Sequence, residues 1–283
     1  MIPSYSADTL NAVRTLTRLV LAFSLSIAAA SGATVDGLTI HSTTTGKGPN
    51  TVFLVHGWTC DETSWTEQVP ALAKQYRVVT LDLPGHGKSD SPKDGKYSMD
   101  LFARAIEAVR AEVNANRVVL VGHSMGSPVV IRYAQLYPQH TVALVLVDGL
   151  MPSLQTPPSK RSVAMAGPAG RTNRQTMIRS FFSVSTTPAL QTKILDMMLA
   201  PSEATAVGAM DATDEAITPA DFSVSVPTLG LYASRPLAAR QTVQAHFPNS
   251  EYQQIPDTGH FLMLEKPAEF NALLLPFLAK QKY

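Results

Sequence analysis

Short, nearly uninterrupted apolar runs recur along the chain, and segments with apolar residues at helical spacing lie between several of them. Such runs are typical of parallel strands that helices cover on both faces of a sheet. Amphipathic helices are predicted over residues 99–113, behind an N-cap at Ser98, and over residues 267–279. The alternation predicts an α/β fold with βαβ units and a doubly wound, mostly parallel sheet. The runs predicted as strands are residues 51–55, 77–81, 118–121, 142–147, 228–232 and 251–255.

The segment from about residue 150 to 220 interrupts this alternation. It contains no strand-like run, and Pro, Ser, Thr, Ala and Met are frequent in it. We predict an inserted helical lid, made of short helices that pack above the sheet. Methionine tolerates adaptable packing and suits an apolar acyl site, although ordinary helical core explains any single methionine better. The large apolar residues of the predicted lid include Met165, Met177, Phe181, Phe182, Met197, Met198 and Met210.

The N-terminal residues have the pattern of an export signal. Two arginines precede an apolar stretch at residues 19–30, and small residues that fit a cleavage site follow it. The stretch is shorter than a comfortable transmembrane helix. We predict a signal peptide at residues 1–33, cleaved after Ala30 or Ala33, and a single domain at residues 34–283. The mature protein is then exported, periplasmic or secreted, without stable membrane insertion; an uncleaved anchor or an amphipathic N-terminal helix is the alternative.

Composition and charge exclude further classes of function and structure. The chain has 283 residues, enough for one sizeable core, and a formal net charge of +1. Because Lys and Arg are scattered, nucleic-acid binding is not expected. The single cysteine, Cys60, excludes an internal disulfide, and we expect a small buried side chain there rather than a reactive thiol. The sequence leaves the oligomeric state open.

Residues 122–126 read Gly-His-Ser-Met-Gly, directly after the predicted strand at 118–121 and before a helix-like stretch. G-x-S-x-G in this setting predicts a nucleophile elbow, a sharp strand-to-helix turn that exposes Ser124 above the sheet. Glycines suit the flanking positions because the backbone is strained and Cβ atoms would collide there. A plain strand–turn–helix junction is the alternative.

Three further motifs accompany the elbow: His-Gly-Trp at 56–58, Asp-Leu-Pro-Gly-His-Gly-Lys-Ser at 82–89 and Gly-His-Phe at 259–261. In this order the four motifs resemble the α/β-hydrolase superfamily over nearly the whole mature chain, in particular its serine esterases and cofactor-free haloperoxidases. The resemblance implies Ser124 as the nucleophile. It implies His260, in the loop after the last strand, as the base that takes and returns the serine proton.

The resemblance also implies an oxyanion hole. One donor is the backbone amide of Met125, the residue after the nucleophile, and the other is the amide of Trp58, in the loop after the first parallel strand. His56 resembles the histidine that braces this loop in the family. The indole of Trp58 is expected to line the acyl pocket or to belong to the core.

The acid departs from the commonest pattern of the family. Most relatives carry an aspartate after the next-to-last strand, but residues 232–238 contain no carboxylate here. Some branches supply the acid one strand earlier, and Asp148 follows the run at 142–147, at the strand edge where active sites form. We favour Asp148 as the residue that orients His260, although an aspartate at this place also occurs in relatives that use the later acid. The other carboxylates considered, each less favourably placed, are Asp257, Asp221, Asp211 and Asp214.

These expectations describe a serine hydrolase that cleaves small carboxylic esters or lactones through an acyl-enzyme. No cofactor is expected, and no metal, because the sequence has neither H-E-x-x-H nor a Cys/His cluster. The dehalogenases and epoxide hydrolases of this fold use an aspartate nucleophile, so the serine at position 124 argues against both activities. Two alternatives stay open: a cofactor-free haloperoxidase or perhydrolase, in which peroxide resolves the acyl-enzyme, and a slow-turnover ligand-binding protein.

Overall fold

The computed structural model describes residues 31–149, 161–216 and 224–281. In these ranges eight strands form one sheet in the order β1-β2-β4-β3-β5-β6-β7-β8. The strands are β1 (Ser31–Val35), β2 (Leu38–Thr45), β3 (Thr51–Val55), β4 (Arg77–Leu81), β5 (Val118–His123), β6 (Thr141–Val147), β7 (Thr228–Tyr232) and β8 (Glu251–Gln254). The helices are α1 (Val69–Leu72), α2 (Met99–Glu112), α3 (Gly126–Leu136), α4 (Gly170–Ser180), α5 (Pro188–Leu199), α6 (Glu203–Ala216), α7 (Arg240–His246), α8 (Leu262–Glu265) and α9 (Pro267–Ala279).

The parallel part of the sheet confirms the predicted fold class. Strands β3 to β8 pair in parallel, and every residue of β3, β5, β6 and β7 is buried. Continuous Val and Leu runs fit this setting because flanking helices cover both faces of the strands. The two helices predicted by periodicity are α2 and α9, and the Ser98 hydroxyl caps α2 by accepting a hydrogen bond from the Leu101 amide.

A hairpin at the edge of the sheet escaped the sequence-based prediction. Strands β1 and β2 pair antiparallel, and β2 joins β4, also antiparallel. Their connection is Asp36-Gly37, both with positive φ, as the tight turn of a two-residue hairpin requires. The hairpin was missed because β2 is rich in threonine and only half-buried, so it lacks the apolar run used to recognise the other strands.

The segment between β6 and β7 is helical where the structure describes it. A short 3-10 helix at Arg161–Met165 precedes α4, α5 and α6, and the Thr187 side chain caps α5. We call residues 161–216 the cap. Residues 150–160 and 217–220 of the predicted lid lie outside the described residues, as does the predicted leader up to residue 30.

Cys60 is buried, and desolvation raises the pKa of its thiol far above the ordinary value. A thiol in this state is protonated at neutral pH, so Cys60 acts as a small apolar side chain, as expected. Within the described ranges, no helix is both long and apolar enough to cross a bilayer.

Candidate active site

Ser124 occupies a strained turn between β5 and α3. Its φ is +54°, in the left-handed region that L-residues rarely adopt. The turn is held tightly: a Cβ on Gly122 would lie 2.3 Å from the carbonyl oxygen of Gly126, and a Cβ on Gly126 would lie 2.5 Å from that of Val55. Only glycine therefore fits at the two positions, which accounts for the spacing of the motif.

Asp148 and His260 form a buried pair beside this turn. Asp148 directly follows β6, and His260 lies in the loop between β8 and α8. The His260 Nδ1 lies 2.7 Å from the Asp148 Oδ2, and their side chains are 5% and 2% exposed. The other carboxylate oxygen accepts hydrogen bonds from the backbone amides of Ala233 and Leu237, each at 3.3 Å. Because a carboxylate can only accept, Nδ1 of His260 is the donor in this contact, and Nε2 points away from Asp148.

One cavity of about 90 Å³ brings Ser124 and His260 together under the cap. Trp58 and Met125 line it as well, so four of the five predicted site residues share this space, and Asp148 lies behind the imidazole. The cap contributes the methionines at 177, 198 and 210, whereas those at 165 and 197 are buried elsewhere. The cavity wall is completed by Arg161, Phe181, Thr213 and Leu237.

The backbone amides of Trp58 and Met125 have no hydrogen-bond acceptor among the described residues. Such amides are costly to bury unless a ligand accepts from them, and Met125 stands at the N-terminus of α3, where helix amides point outward without partners. Both residues line the cavity with Ser124. The site therefore offers two free donors beside the serine, the arrangement that an oxyanion requires.

His56 fastens the loop that carries Trp58. Its Nδ1 donates to the Gly57 carbonyl oxygen at 2.8 Å, and its Nε2 accepts from the Leu83 amide at 2.9 Å. Burial lowers the pKa of His56, so the neutral ring that this bonding needs is favoured. The Trp58 indole N–H donates to the carbonyl oxygen of Ala206 on α6, at 2.8 Å. The bracing role expected for His56 agrees with this geometry.

His123 contributes a contact that the sequence did not reveal. Its Nε2 lies 2.8 Å from the carbonyl oxygen of His260, and the two rings lie 4.7 Å apart. Burial is the main cause that holds the pKa of His123 well below its ordinary value, so the ring is neutral. The Nε2–H then donates to His260, and the buried Nδ1 has no partner among the described residues. Because His123 occupies a variable position of the G-x-S-x-G motif, the motif carries no signal for this contact.

Glu265, at the end of α8, was also missed. It accepts hydrogen bonds from the Gly259 amide at 2.6 Å, the Ser183 hydroxyl at 2.7 Å and the Thr186 hydroxyl at 2.8 Å. Gly259 directly precedes His260 in the loop between β8 and α8, while the two hydroxyls belong to the cap. The backbone N–H of His260 itself donates to the Phe181 carbonyl oxygen in the cap. Cap and histidine loop are therefore joined at several points.

The other carboxylates considered as the acid lie apart from His260 or have other partners. Asp257 is 75% exposed and lies 3.9 Å from the Lys266 ammonium. Asp214, on α6, is buried and accepts from the backbone amide and Nε of Arg161. Asp211 is exposed on α6, and Asp221 lies outside the described residues.

Among the described residues, His41, Glu62 and Asp82 bring potential metal-ligand atoms within 4.8 Å of one another. The two carboxylates already have hydrogen-bond donors: Glu62 accepts from the Thr80 hydroxyl, and Asp82 accepts from the backbone amides of Glu62 and Lys88. The Lys88 ammonium also lies 3.3 Å from Glu62. A cation beside these ligands opposes a bound metal, and the group braces the 82–89 turn instead.

Comparison with known proteins agrees with this architecture. The profile of the alpha/beta hydrolase fold family matches residues 50–193. The chain belongs to this family.

Individual relatives are distant. A dihydrolipoyllysine-residue acetyltransferase component of the acetoin cleaving system from Pseudomonas putida is 26% identical over 253 residues, which span 83% of this chain but 65% of that protein. A 2-hydroxy-6-oxononadienedioate/2-hydroxy-6-oxononatrienedioate hydrolase from Cupriavidus pinatubonensis is 28% identical over 262 residues, 84% of this chain and 90% of that protein. Among solved structures, a thermophilic esterase from Thermogutta terrifontis superposes with a TM-score of 0.78 at 25% identity, over 89% of this chain and 97% of that one.

Proposed function

We propose that the protein is a serine hydrolase that cleaves carboxylic esters or lactones through an acyl-enzyme. The proposal rests above all on the 2.7 Å contact between His260 and Asp148 behind a cavity that Ser124 and two free amides share. The hydrolase and esterase named among the relatives support it, because both belong to reaction classes that this arrangement can perform.

The geometry suggests the order of steps. Ser124 Oγ attacks the carbonyl carbon of the substrate while its proton passes to Nε2 of His260, and the amides of Trp58 and Met125 bind the oxyanion. The intermediate collapses as the bond from carbon to the leaving oxygen breaks, and His260 returns its proton to that oxygen. Water then attacks the acyl-enzyme with His260 again as base, which releases the acid and restores Ser124. Asp148 keeps the imidazole oriented and stabilises its charged form.

Hydrolysis of nitrophenyl esters by the mature protein, Ser124→Ala, Asp148→Asn and Asp211→Asn tests this proposal. We expect Ser124→Ala to be inactive and Asp148→Asn to lose on the order of 10³–10⁴ in kcat, because the neutral amide stabilises neither the tautomer nor the imidazolium. Asp211→Asn is the matched control and should retain activity, since that carboxylate is exposed on α6 and does not line the cavity. Near-normal turnover by Asp148→Asn contradicts the assigned acid.

The same assay separates the alternatives. A wild-type protein inert on every ester but able to bind one tightly would favour a ligand-binding role. An acyl-enzyme that hydrogen peroxide resolves much faster than water, measured as peracid formed from acetate and peroxide, would favour a perhydrolase.

Export is proposed on the N-terminal pattern. Cleavage after Ala30 leaves β1 whole, whereas cleavage after Ala33 removes three of its five residues, which pair with β2. We therefore favour Ala30 as the last residue of the signal peptide. N-terminal sequencing of the protein recovered from an expressing bacterium tests this: a mature chain that begins at Ser31 supports it, and an intact N-terminus in the cytosol contradicts it.

A further inference from the structure

The wall of the cavity that holds Ser124 contains one arginine. Of the described residues that line this cavity, Arg161 is the only one with a permanent positive charge. On the cap side the wall otherwise consists of the apolar side chains at 177, 181, 198 and 210 and of Thr213. A guanidinium in such surroundings is costly to desolvate unless its hydrogens have acceptors.

The buried carboxylate of Asp214 holds one edge of Arg161. Its Oδ2 accepts from the Arg161 backbone amide at 3.0 Å, and its Oδ1 accepts from Nε at 2.6 Å. Nη2 lies 2.5 Å from the same Oδ1 without hydrogen-bonding alignment, and this buried atom has no acceptor among the described residues. Nη1 has no acceptor in this part of the chain either. The guanidinium is therefore fixed in place while its two terminal nitrogens stay unused.

The other side-chain donors of the wall already have acceptors. The Trp58 indole and the Thr213 hydroxyl both donate to backbone carbonyl oxygens of α6, at 2.8 and 2.7 Å. Apart from Ser124 and His260, Arg161 is thus the only lining side chain, in the ranges that the structure describes, with hydrogens left to donate. An acceptor on the substrate that reaches the cap side of the cavity can therefore be recognised by Arg161.

The charges around the cavity favour a neutral acceptor over an anion. Asp214 balances the charge of Arg161, and a second aspartate, Asp148, lies behind His260. A carboxylate on the substrate would bring a further negative charge into this buried space, where no unpaired cation offsets its desolvation. A keto or ether oxygen accepts a hydrogen bond from the guanidinium without that cost.

We propose that Arg161 selects substrates that carry, besides the scissile carbonyl, a second and neutral oxygen acceptor. This deepens the proposed function and rests on it: the ester carbonyl binds beside Ser124, and the second oxygen accepts from Nη1 or Nη2 of Arg161. Asp214 keeps the guanidinium in position. An alkyl chain of the same shape leaves the buried Nη2 without an acceptor, so such a substrate reacts more slowly.

The experiment compares substrates that differ in one oxygen. On the acyl side, nitrophenyl 3-methoxypropanoate is paired with the pentanoate, and the 4-oxopentanoate with the 4-methylpentanoate. On the alcohol side, 2-methoxyethyl acetate is paired with butyl acetate. Each ratio of kcat/KM is divided by the ratio of the rates with hydroxide, which removes the difference in intrinsic reactivity. We expect wild type to favour the oxygen-bearing member of at least one pair about tenfold.

Arg161→Met combined with Asp214→Asn removes the donor without leaving a buried carboxylate unpaired, and the asparagine still accepts from the backbone amide at 161. The corrected ratio of this double variant should fall to about one. Arg171→Met is the matched control: this exposed cap arginine donates to the Leu199 carbonyl oxygen and does not line the cavity, so the wild-type ratio should persist. Arg161→Lys keeps a charge beside Asp214 and serves as the second variant if the double variant does not fold. Because it lacks both Nη atoms, it should lower the ratio by about threefold or more.

The outcomes separate this inference from the proposed function. A corrected ratio near one for every pair in wild type, or equal ratios in the double variant and Arg171→Met, overturns the inference while the serine hydrolase stands. The pair of Arg161 and Asp214 then only joins the 3-10 helix to α6. Faster cleavage of the mono(nitrophenyl) ester of glutaric acid than of the 4-oxopentanoate, after correction for spontaneous hydrolysis, overturns the choice of a neutral acceptor. Failure to cleave any ester overturns the proposed function, and this inference with it.

Discussion

Glu265 accepts the backbone hydrogen of Gly259 at 2.6 Å, one residue before the catalytic histidine of the proposed mechanism. The same carboxylate holds Ser183 and Thr186 of the cap. One side chain therefore fixes the histidine loop and the neighbouring cap loop together. Charge-assisted hydrogen bonds of this kind are stronger than neutral ones, and three of them on one carboxylate leave the loop little freedom.

Glu265→Gln should lower kcat about tenfold with a smaller effect on KM. The Gly259 amide and the Ser183 hydroxyl share Oε2 of Glu265, and the Thr186 hydroxyl uses Oε1. Glutamine keeps the shape but has one acceptor oxygen, so the donors on one of these two sides lose their partner, at a cost of roughly 1–2 kcal/mol. Steady-state kinetics of Glu265→Gln beside Glu269→Gln measure this. Glu269 is a half-exposed carboxylate near Lys266, so its substitution should leave both constants unchanged. Equal kinetics for the two variants would show that Glu265 does not position His260.

His123→Phe tests the second contact to the histidine loop. The phenyl ring preserves packing and removes the unpartnered buried Nδ1, but the His260 carbonyl oxygen loses its donor. We expect kcat to fall about tenfold while thermal stability changes little, because the lost hydrogen bond and the removed orphan nitrogen offset each other. His140→Phe, outside the cavity, is the control. If stability collapses and kcat per folded molecule does not change, the role of His123 is structural alone.

Gly126→Ala should be severely destabilising, by about 3 kcal/mol or more, because a Cβ there would lie 2.5 Å from the Val55 carbonyl oxygen. Gly32→Ala is the comparison, since no atom lies within 4 Å of the Cβ that it adds. Denaturant unfolding of both variants measures the difference. A Gly126→Ala protein as stable as Gly32→Ala would contradict the close approach of α3 to β3.

Acid should destabilise the protein through its buried histidines. Burial lowers the pKa of His56, His86 and His123, that of His86 to about 3, whereas an unfolded histidine titrates near 6.5. Below pH 6.5 the unfolded chain binds protons that the folded protein excludes, so the free energy of unfolding falls as pH falls. Each histidine contributes at most about 1.4 kcal/mol per pH unit.

Urea unfolding between pH 8 and pH 5 measures this dependence. We expect a plateau above pH 7 and a decline below pH 6.5 that is shallower in His86→Gln by about 1.4 kcal/mol per pH unit. A lower stability of His86→Gln at every pH does not affect the test, because the test compares how steeply the free energy of unfolding falls with pH, not its value above pH 7. A wild-type free energy that stays constant from pH 8 to pH 5 is incompatible with three neutral buried rings.

Much of the fold could be predicted from sequence because buried parallel strands leave a strong local signal. The run at 51–55 became β3 without a change of boundary, and the helix at 267–279 became α9. Strand β2, which lies between the edge strand β1 and β4, escaped because it is only half-buried and carries threonines instead of a continuous apolar run.

The residues of the candidate site also differ in whether a local sequence pattern marks them. Ser124 and His260 stand in local motifs, and Asp148 could be singled out because it directly follows a predicted strand. Glu265 had no such signal, because its two hydroxyl donors lie 79 and 82 residues away in the chain. Contacts of this range arise only when the cap folds back over the sheet, and no local pattern encodes them.

The carboxylate of Asp148 is held by the peptide groups of Ala233 and Leu237 rather than by their side chains. The loop after β7 therefore positions Asp148 through its main-chain path, which many sequences can follow. Ser234 and Arg235, in the middle of this loop, line the groove between the loop and the cap, and neither is among the described donors to Asp148. Substitutions at these two positions that keep the path of the main chain are therefore expected to leave the carboxylate in place.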